Sequence, residues 1–542
     1  MKTVILAYFT AAVWHALGIL KPPVVKTPLG NIEGLRSKIY GLPVNMFLGI
    51  PFAKPPLGSL RFLKPKPVEP WSGTLKATKQ PPACMQYSEE PYPWYDDMPG
   101  KSEDCLYMNI FTPPLATKLS KLAVIFWIFG GGFTFGSNRM DVYDGRVLAK
   151  TEGVIVVTIN YRLGLFGFLT TNTSDAPGNM GLYDAILALQ WVNDNIYYFG
   201  GDKNRITIAG ESAGSIAVSI LCVSPLTKGL FSRAIMESSS LIMQRNNELE
   251  YNLNLSERLA EAVNCATEDF TIYDHPTKVV ECLRKRNATY LTKTLWSFNP
   301  TSARSFYEQY GNDLLPNHAL EAVRNGKFHN VPLLAGDVKD EGSFQVTTGN
   351  IPEFGFFGEK DPKVNKTYAT SLLEGIFSNY TDPQKYIDFY LKDVPDDDYD
   401  QIRKQVTTAF GDSSILCATV FFAESYAERK NDVYYYFFTH RPSNSPWAKW
   451  MGVVHFEEVQ FVFGRPVRVP KDYEIKEIWL SKKVMKLWAS FAKYGKPIAV
   501  PKWPKYSNKS HTYFTIDLKN YGKRGTGPHL ENCNFLRSYF GF

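Results

Sequence analysis

Runs of apolar, β-branched residues alternate with helical patterns along most of this 542-residue chain, and this alternation constrains the fold more than any other feature. Segments 121–129 (KLAVIFWIF) and 154–159 (VIVVTI) are almost entirely apolar, as expected of strands buried at the centre of a sheet. Shorter runs of this kind occupy residues 205–209, 331–335 and 433–439. Strands that alternate with helices predict an α/β fold, with a large, mostly parallel central sheet and helices on both of its faces.

Two segments between or after these strands carry helical periodicity. Residues 184–195 place apolar side chains one turn apart, and residues 480–491 do so ahead of an expected helix end at Gly495, with Pro497 beyond. The composition is 44% hydrophobic and only 21% charged, which excludes a disordered, collagen-like or coiled-coil chain and supplies a large core. No repeat or linker interrupts the pattern, so we expect residues 21–542 to form a single domain.

The first 20 residues differ from the rest of the chain. Lys2 precedes an apolar stretch that ends among small residues, which is typical of a secretory signal peptide, with an N-terminal membrane anchor as the alternative. No later stretch reaches ~18 uninterrupted apolar residues, so we expect a secreted, extracellular protein with no membrane span in the mature chain. The net charge of +7 is small for this length and no Lys/Arg block occurs, so no nucleic-acid partner is expected.

Glycosylation sequons and cysteines agree with secretion. Candidate glycosylation sites begin at Asn172, Asn254, Asn287, Asn365, Asn379 and Asn508. The seven cysteines predict three disulfides and one free thiol, but the sequence by itself does not assign the pairs. No CxxC motif or Cys/His cluster is present, and the acidic stretch 396–400 lacks the spacing of a calcium loop and suits the start of a helix. We therefore expect no metal and no cofactor.

A G-x-S-x-G motif occupies residues 210–214 (GESAG), between the strand at 205–209 and a helical segment at 215–222. In this strand–turn–helix context the motif forms a tight, strained turn that presents the serine hydroxyl at the carboxyl edge of the sheet. Glycines are needed because side chains at those positions would collide with the neighbouring strand or helix. Ser212 is therefore the candidate nucleophile of an acyl-transfer reaction.

A second glycine-rich segment supplies candidate donors for the oxyanion of such a reaction. Gly130, Gly131 and Gly132 directly follow the predicted strand that ends at Phe129. Residues without side chains can present their backbone N–H groups to a substrate. The amides of Gly131 and Gly132, with that of Ala213, are predicted to form the oxyanion hole.

The acid and the base of a catalytic triad are expected after the serine, in that order. The candidate acids, all in the loop after the strand 331–335, are Asp337, Asp340 and Glu341. The histidines that follow are His440, His455, His511 and His529. His440 closes a strand and His455 lies in an aromatic-rich loop, and these two compete as the base. The residues alone leave both identities open.

Longer segments are similar to the type-B carboxylesterase/cholinesterase family, and they span nearly the whole mature chain. They are residues 47–53 (FLGIPFA), 102–107 (SEDCLY), 178–182 (GNMGL) and 199–202 (FGGD). The resemblance implies an α/β-hydrolase fold and hydrolysis of carboxylic esters through an acyl-enzyme, with no cofactor. It implies Glu341 as the acid and His455 as the base, and makes His440 structural.

The same resemblance implies the disulfide pairs. They are Cys84–Cys105, Cys265–Cys282 and Cys417–Cys533. Cys222 then remains as a free and buried thiol.

Within the family the chain is similar to the cholinesterase branch, for example at residues 141–143 (DVY), 450–452 (WMG) and 461–464 (FVFG). The side chains that the likeness places near the substrate are Trp94, Glu211, Phe344, Tyr143, Tyr87 and Glu89. Because aromatic faces hold a quaternary ammonium ion, a small-molecule choline ester is a candidate substrate.

Four positions depart from that branch. Trp94, the candidate choline-stacking indole, is one residue out of register with the segment 102–105, and Phe456 stands where cholinesterases usually carry glycine. Phe129 precedes the glycine run where the branch often has tyrosine. Residues 301–305 (TSARS) lack the bulky aromatics that restrict the acyl group to acetyl. We therefore expect a serine esterase with a broad acyl range.

Other functions also fit this resemblance. One is a general carboxylesterase that acts on neutral esters, and another is an esterase that sequesters esters with very slow turnover. A catalytically inactive adhesion protein is disfavoured because Ser212, Glu341 and His455 are all present. The sequence is compatible with a monomer or a homodimer.

Overall fold

The computed structural model describes residues 21–92, 100–243, 249–298, 306–349, 351–378 and 380–542. Four sequence expectations fall outside the described residues: the signal peptide at 1–20, Trp94, the segment 301–305 and the sequon at Asn379.

The predicted strands are all present. The strands are β1 (Val24–Thr27), β2 (Gly30–Glu33), β3 (Leu35–Ile39), β4 (Leu42–Pro51), β5 (Thr74–Lys76), β6 (Ala83–Cys84), β7 (Lys101–Ser102), β8 (Tyr107–Thr112), β9 (Leu122–Ile128), β10 (Ile155–Ile159), β11 (Thr170–Thr173), β12 (Ala176–Pro177), β13 (Gly201–Glu211), β14 (Arg233–Glu237), β15 (Leu333–Val338), β16 (Val433–Phe438), β17 (Thr512–Ile516) and β18 (Arg524–Thr526). The five apolar runs correspond to β9, β10, β13, β15 and β16. Every residue of β10, β15 and β16 is buried, which is why these runs lack polar alternation.

Eleven of the described strands form one sheet in the order β18-β17-β16-β15-β14-β13-β9-β10-β8-β4-β3. The seven central strands, from β17 to β10, pair in parallel. The strands at both edges pair antiparallel. The carboxyl ends of the parallel strands therefore meet at one edge, where ligand sites form in open α/β sheets.

The predicted helices also appear, at greater length than their apolar patterns. The helices are α1 (Arg146–Glu152), α2 (Gly164–Phe168), α3 (Met180–Asn195), α4 (Ala213–Val223), α5 (Leu249–Ala262), α6 (Pro276–Lys285), α7 (Ala288–Phe298), α8 (Ala319–Arg324), α9 (Glu341–Thr348), α10 (Lys366–Phe377), α11 (Pro383–Leu391), α12 (Tyr399–Gly411), α13 (Cys417–Glu428), α14 (Val459–Val462), α15 (Arg465–Arg468), α16 (Ile475–Tyr494) and α17 (Leu530–Phe535). The acidic stretch 396–400 begins α12, and the Asp398 carboxylate caps it by accepting from the backbone N–H of Gln401 (3.0 Å).

Helices pack on both faces of the sheet. On one face, α4 packs on β13 so closely that a Cβ on Gly210 would lie 2.5 Å from the carbonyl carbon of Gly214. Glu237 is the register partner of Glu211, the residue after Gly210, so its side chain projects to the opposite face. There it accepts a hydrogen bond from the indole N–H of Trp488 in α16 (2.7 Å). The α/β fold predicted from the sequence is confirmed.

Three disulfides lie within the described residues. They join Cys84 to Cys105, Cys265 to Cys282 and Cys417 to Cys533. Cys222 is a free and buried thiol in α4, and burial raises its pKa to about 12. These are the pairs that the family resemblance implies, and the buried thiol is largely protected from oxidation.

One helical stretch in the described chain, Tyr399–Glu428, is long and apolar enough to cross a membrane. Its most apolar window is 83% buried inside the protein, because α12 and α13 pack against the sheet and neighbouring helices. Burial of this kind is typical of a core helix.

Candidate active site

Ser212 lies in a sharp turn between β13 and α4. Its backbone has φ 57° and ψ −124°, a conformation that costs a non-glycine residue ~1–3 kcal/mol. Gly214 is needed on steric grounds, because a Cβ there would lie 2.1 Å from the carbonyl oxygen of Ile128 in β9. The amide of Ser212 donates to the carbonyl oxygen of Glu237 (2.9 Å), which ties the turn to β14. The turn thereby holds the serine at the carboxyl edge of the sheet.

The glycine-rich loop after β9 passes beside this turn. A Cβ on Gly130 would lie 3.0 Å from the Cβ of Ser212, so the two segments approach closely. Gly131 has φ 111°, and a Cβ there would meet a backbone carbonyl oxygen at 2.2 Å, so the loop conformation requires glycine. The amide of Gln86 exchanges two hydrogen bonds with the backbone of Gly136, each 2.9 Å long, and fixes the far end of the loop.

Glu341 and His455 are in direct contact. Oε2 of Glu341 lies 2.6 Å from Nδ1 of His455. The other oxygen, Oε1, accepts from the hydroxyl of Ser238 (2.6 Å) and from the backbone N–H of Val338 (2.9 Å). Glu341 is 2% exposed and His455 6% exposed, so water does not compete for these bonds. The carboxylate is therefore held in one orientation, with one oxygen aimed at the imidazole.

The other acids and histidines that the sequence left as alternatives lie in different surroundings. Asp337 accepts from the hydroxyl of Thr419 (2.8 Å), and Asp340 accepts from the backbone N–H of Val453 (2.9 Å). The remaining candidate histidines each pair with a separate carboxylate: His440 with Glu477 (3.0 Å), His511 with Glu424 (3.1 Å) and His529 with Asp412 (2.5 Å). Among these described candidates, Glu341 and His455 are therefore the one acid and histidine that pair beside Ser212.

The second ring nitrogen of His455 faces another carboxylate. Oε1 of Glu211 lies 3.0 Å from Nε2, at ion-pair distance but without the angle of a hydrogen bond. Burial lowers the pKa of His455, but the carboxylates of Glu211 and Glu341 outweigh this effect and raise the pKa above its ordinary value. Burial raises the pKa of Glu211, which the imidazole opposes and Glu341 reinforces. The pair therefore retains a proton to a higher pH than an imidazole in water does.

Two further buried glutamates lie near Glu211. Glu237 is its register partner on β14, and Glu458 accepts from the hydroxyl of Tyr436 (3.2 Å). Burial raises the pKa of Glu237, against the hydrogen bond from Trp488, and the neighbouring Glu211 adds to the rise. Burial, then Glu237 and Glu211, raise the pKa of Glu458. These carboxyls favour the protonated form, because several buried like charges cannot all ionise.

A cavity of about 210 Å³ is lined by Ser212, His455, Glu211 and the glycine loop. The apolar and aromatic side chains in its wall are Phe133, Phe135, Met140, Tyr143, Ile216, Met243, Phe344, Ile415 and Phe456. The predicted oxyanion residues Gly131, Gly132 and Ala213 line it as well. The cavity is therefore a mostly apolar, aromatic chamber that contains the serine and the histidine and has a few further polar residues, Ser239, Gln345 and Thr348, in its wall.

Some of the residues predicted to contact substrate line this cavity, and others do not. Tyr143 and Phe344 line the cavity, and the Phe344 ring lies 5.6 Å from the His455 ring. Tyr87 and Glu89 do not line it, and the Tyr87 hydroxyl donates to the Glu89 carboxylate (2.7 Å). Any role of these two residues with substrate would have to lie outside the chamber.

Sequence reasoning missed three polar residues of this site: Ser238, Glu237 and Glu458. A signal for the first two exists, because the run 233–237 (RAIME) is a strand that ends at the same carboxyl edge as β13. No comparable signal marks Glu458, since it reaches the site from a loop.

A mostly parallel sheet of this order, with a serine in the turn between β13 and α4, defines an α/β-hydrolase. The chain belongs to the carboxylesterase family, whose family model matches residues 21–536. It is a carboxylic ester hydrolase of cholinesterase-like sequence.

Proteins named acetylcholinesterase are among its relatives. The chain is 42% identical over 533 residues to acetylcholinesterase-1 of Trittame loki, which covers 96% of this chain and 94% of the relative. It is 35% identical to the acetylcholinesterase of Leptinotarsa decemlineata (96% of this chain, 86% of the relative). It is 36% identical to the acetylcholinesterase of Bungarus fasciatus (91% and 83%).

Proposed function

We propose that the protein is a secreted serine esterase that cleaves small carboxylic esters, choline esters among them, through an acyl-enzyme on Ser212. The observation that carries the proposal is that His455, which lines the same chamber as Ser212, is in contact with the buried carboxylate of Glu341. No metal or organic cofactor takes part in this chemistry.

In the first step, the Ser212 hydroxyl attacks the ester carbonyl while Nε2 of His455 accepts its proton. Glu341 keeps the Nδ1 proton in place through the 2.6 Å contact and stabilises the imidazolium that forms. The carboxylate of Glu211 adds a second negative charge beside Nε2, at 3.0 Å. Both contacts favour the charged ring of the transition state.

The negative charge that develops on the carbonyl oxygen needs fixed donors. The amides of Gly131, Gly132 and Ala213 are suited to this, since all three residues line the chamber beside the nucleophile. Losing one such donor typically costs ~10²–10³ in rate. The constrained backbone of Gly131 is one reason why the loop is pre-organised rather than adaptable.

The tetrahedral intermediate then collapses: the bond between the carbonyl carbon and the alcohol oxygen breaks, His455 donates its proton to the departing alcohol, and the acyl group remains on Ser212. A water molecule then attacks the acyl-enzyme, with His455 again as the base, and releases the carboxylic acid and free Ser212.

Support for a cationic alcohol group comes from the chamber wall and from the relatives' names. The rings of Tyr143 and Phe344 offer aromatic faces, and Glu211 supplies a buried acidic group. A general carboxylesterase acting on neutral esters is the second candidate. It is favoured by the Phe456 ring, which occupies part of the same wall.

Secretion after removal of residues 1–20, with residues 21–542 as one domain, is part of the proposal. Three disulfides support an oxidising environment. The described sequon asparagines are all exposed: Asn172, Asn254, Asn287, Asn365 and Asn508. Glycans at these positions would extend into solvent.

Steady-state hydrolysis of four esters tests the function. They are acetylthiocholine, butyrylthiocholine, p-nitrophenyl acetate and p-nitrophenyl butyrate, with the Ser212→Ala variant as blank. Turnover of the cationic pair at higher kcat/KM than the neutral pair supports choline-ester hydrolysis. Turnover of the neutral pair alone would establish the general carboxylesterase instead, and silence on all four would leave a binding role.

A further inference from the structure

A second cavity, of about 290 Å³, lies next to the chamber that contains Ser212. Its wall includes Asp141, Trp447 and Arg465, none of which lines the first chamber. The two cavities share only His455, Phe456 and Met140 as described lining residues. These shared residues therefore form the wall between the two spaces.

Phe456 is held in this wall in a conformation that disfavours a side chain. Its backbone φ is 82°, in the region where glycine is preferred. The ring packs edge-on against Tyr143, with centroids 6.2 Å apart and planes at 89°, and it is only half-buried. A strained residue that persists beside a reaction centre is a candidate for a functional role.

The position of Phe456 relates it to one half of the substrate. The proposed reaction has His455 donate its proton to the departing alcohol, so the alcohol group must lie next to the imidazole. Phe456 is the next residue in the chain and lines the same chamber. The side of the ester that meets this ring is therefore the alcohol side rather than the acyl side.

We propose that the ring of Phe456 separates the two cavities and sets the largest alcohol group that the enzyme accepts. This inference rests on the proposed ester hydrolysis. With glycine at position 456, the two spaces of about 210 and 290 Å³ would join beside His455 and gain the volume of the ring. A bulky alcohol group would then extend into the second cavity, towards Trp447.

The test compares wild type with Phe456→Gly on two esters of the same acid, ethyl butyrate and 1-naphthyl butyrate. Each variant's kcat/KM ratio, naphthyl over ethyl, is divided by the wild-type ratio, so the unequal reactivity of the two esters cancels. We expect this quotient to rise at least tenfold, because rejection of a group that does not fit is relieved. A quotient near one in a folded, active variant would overturn the inference.

Two further variants show whether the effect depends on the size of the side chain at position 456. Phe456→Leu keeps an apolar side chain in the wall and should leave the quotient within threefold of one, whereas Phe456→Ala should shift it in the same direction as glycine. The preference between ethyl acetate and ethyl butyrate should change less than threefold in all variants, because the acyl group lies on the other side. A change in acyl preference as large as that in alcohol preference would mean a general loosening of the chamber.

Failure of the inference is distinguishable from failure of the proposed function. A wild-type protein that hydrolyses neither ethyl nor naphthyl butyrate would overturn both. Active wild type and active variants with unchanged alcohol preference would overturn the role of Phe456 alone.

Discussion

The substitution Glu341→Gln examines the contact on which the proposed chemistry depends. In the structure, one oxygen of Glu341 accepts from Ser238 and Val338, and the other lies 2.6 Å from Nδ1 of His455. The side-chain amide of a glutamine at position 341 has one oxygen that accepts hydrogen bonds and one NH₂ group that donates them. Its carbonyl oxygen would satisfy Ser238 and Val338, since the backbone N–H of Val338 can only donate. The amide NH₂ would then point at Nδ1.

That orientation forces the wrong tautomer on the imidazole. Facing a donor, Nδ1 must present its lone pair, so the single ring proton moves to Nε2, where it blocks acceptance of the Ser212 proton. The analogous loss in a serine protease triad costs ~10⁴ in kcat. At about 1.4 kcal/mol per tenfold change, this is about 5 kcal/mol of lost transition-state stabilisation. We expect a comparable loss here.

The assay is kcat for p-nitrophenyl butyrate at a fixed pH, with active-site titration and thermal unfolding to verify folding. Asp337→Asn is the matched control, because Asp337 is also buried, lies in β15 four residues before Glu341, and bonds to the Thr419 hydroxyl rather than to His455. We expect the control to retain activity within about tenfold. A folded Glu341→Gln enzyme within tenfold of wild type would refute the assignment of the acid.

Three further predictions follow from the same structure. Glu211→Gln removes one of the three carboxylates that raise the pKa of His455, so the pH at which kcat/KM rises, as the imidazole loses its proton, should move to lower pH. Glu237→Gln should stabilise the protein at pH 7 but not at pH 4. Burial raises the pKa of Glu237 to about 8, so folding favours its protonated form, and this costs on the order of 3 kcal/mol at pH 7 that a neutral glutamine avoids. Replacing Cys417 and Cys533 by serine should lower the free energy of unfolding by about 2–5 kcal/mol, since their disulfide closes a loop over a separation of 116 residues.

Each of these has a control within the chain. Glu457→Gln is the control for Glu211→Gln. Glu457 is also buried, and its carboxylate accepts from the backbone N–H of Val454 (3.0 Å), so this variant should not shift the pH dependence of kcat/KM. An equal shift of the pH profile in Glu457→Gln would show that the effect is not specific to Glu211. For the disulfide, loss of the Cys265–Cys282 pair, which closes a separation of 17 residues, should cost less in a chemical denaturation series. The prediction for Glu237 fails if its variant gains as much stability at pH 4 as at pH 7.

Much of the fold was predictable because its strands are buried on both faces. The sequences of β9, β10 and β16 are almost wholly apolar. Short runs of this kind are recognised as buried strands when helical patterns lie between them. The antiparallel edges, by contrast, were not predicted. Strands such as β3 mix buried and exposed positions irregularly, so their pairing depends on neighbours distant in the chain.

The site was predictable where a local backbone conformation carries the chemistry. The turn at Ser212 and the loop at Gly131 need glycines at fixed places, and those glycines are visible in the sequence. The residues alone did not identify the acid, because Asp337 and Glu341 lie four residues apart, one within β15 and one just after it. Only the structure shows that Asp337 contacts Thr419 and Glu341 contacts His455. The position of Glu237 beside Glu211, which favours its protonated form, was also not predictable. It depends on the register between β13 and β14, and neither segment alone determines that register.

Detection of the acyl-enzyme would show directly whether Ser212 is the nucleophile. Rapid mixing of the protein with p-nitrophenyl butyrate, followed by acid quench and peptide mass analysis, reports which side chain carries the butyryl group. We expect a burst of p-nitrophenol close to one per active site and a butyryl group on the peptide that contains Ser212, both absent in Ser212→Ala. A butyryl group on another residue, or undiminished turnover by Ser212→Ala, would contradict it.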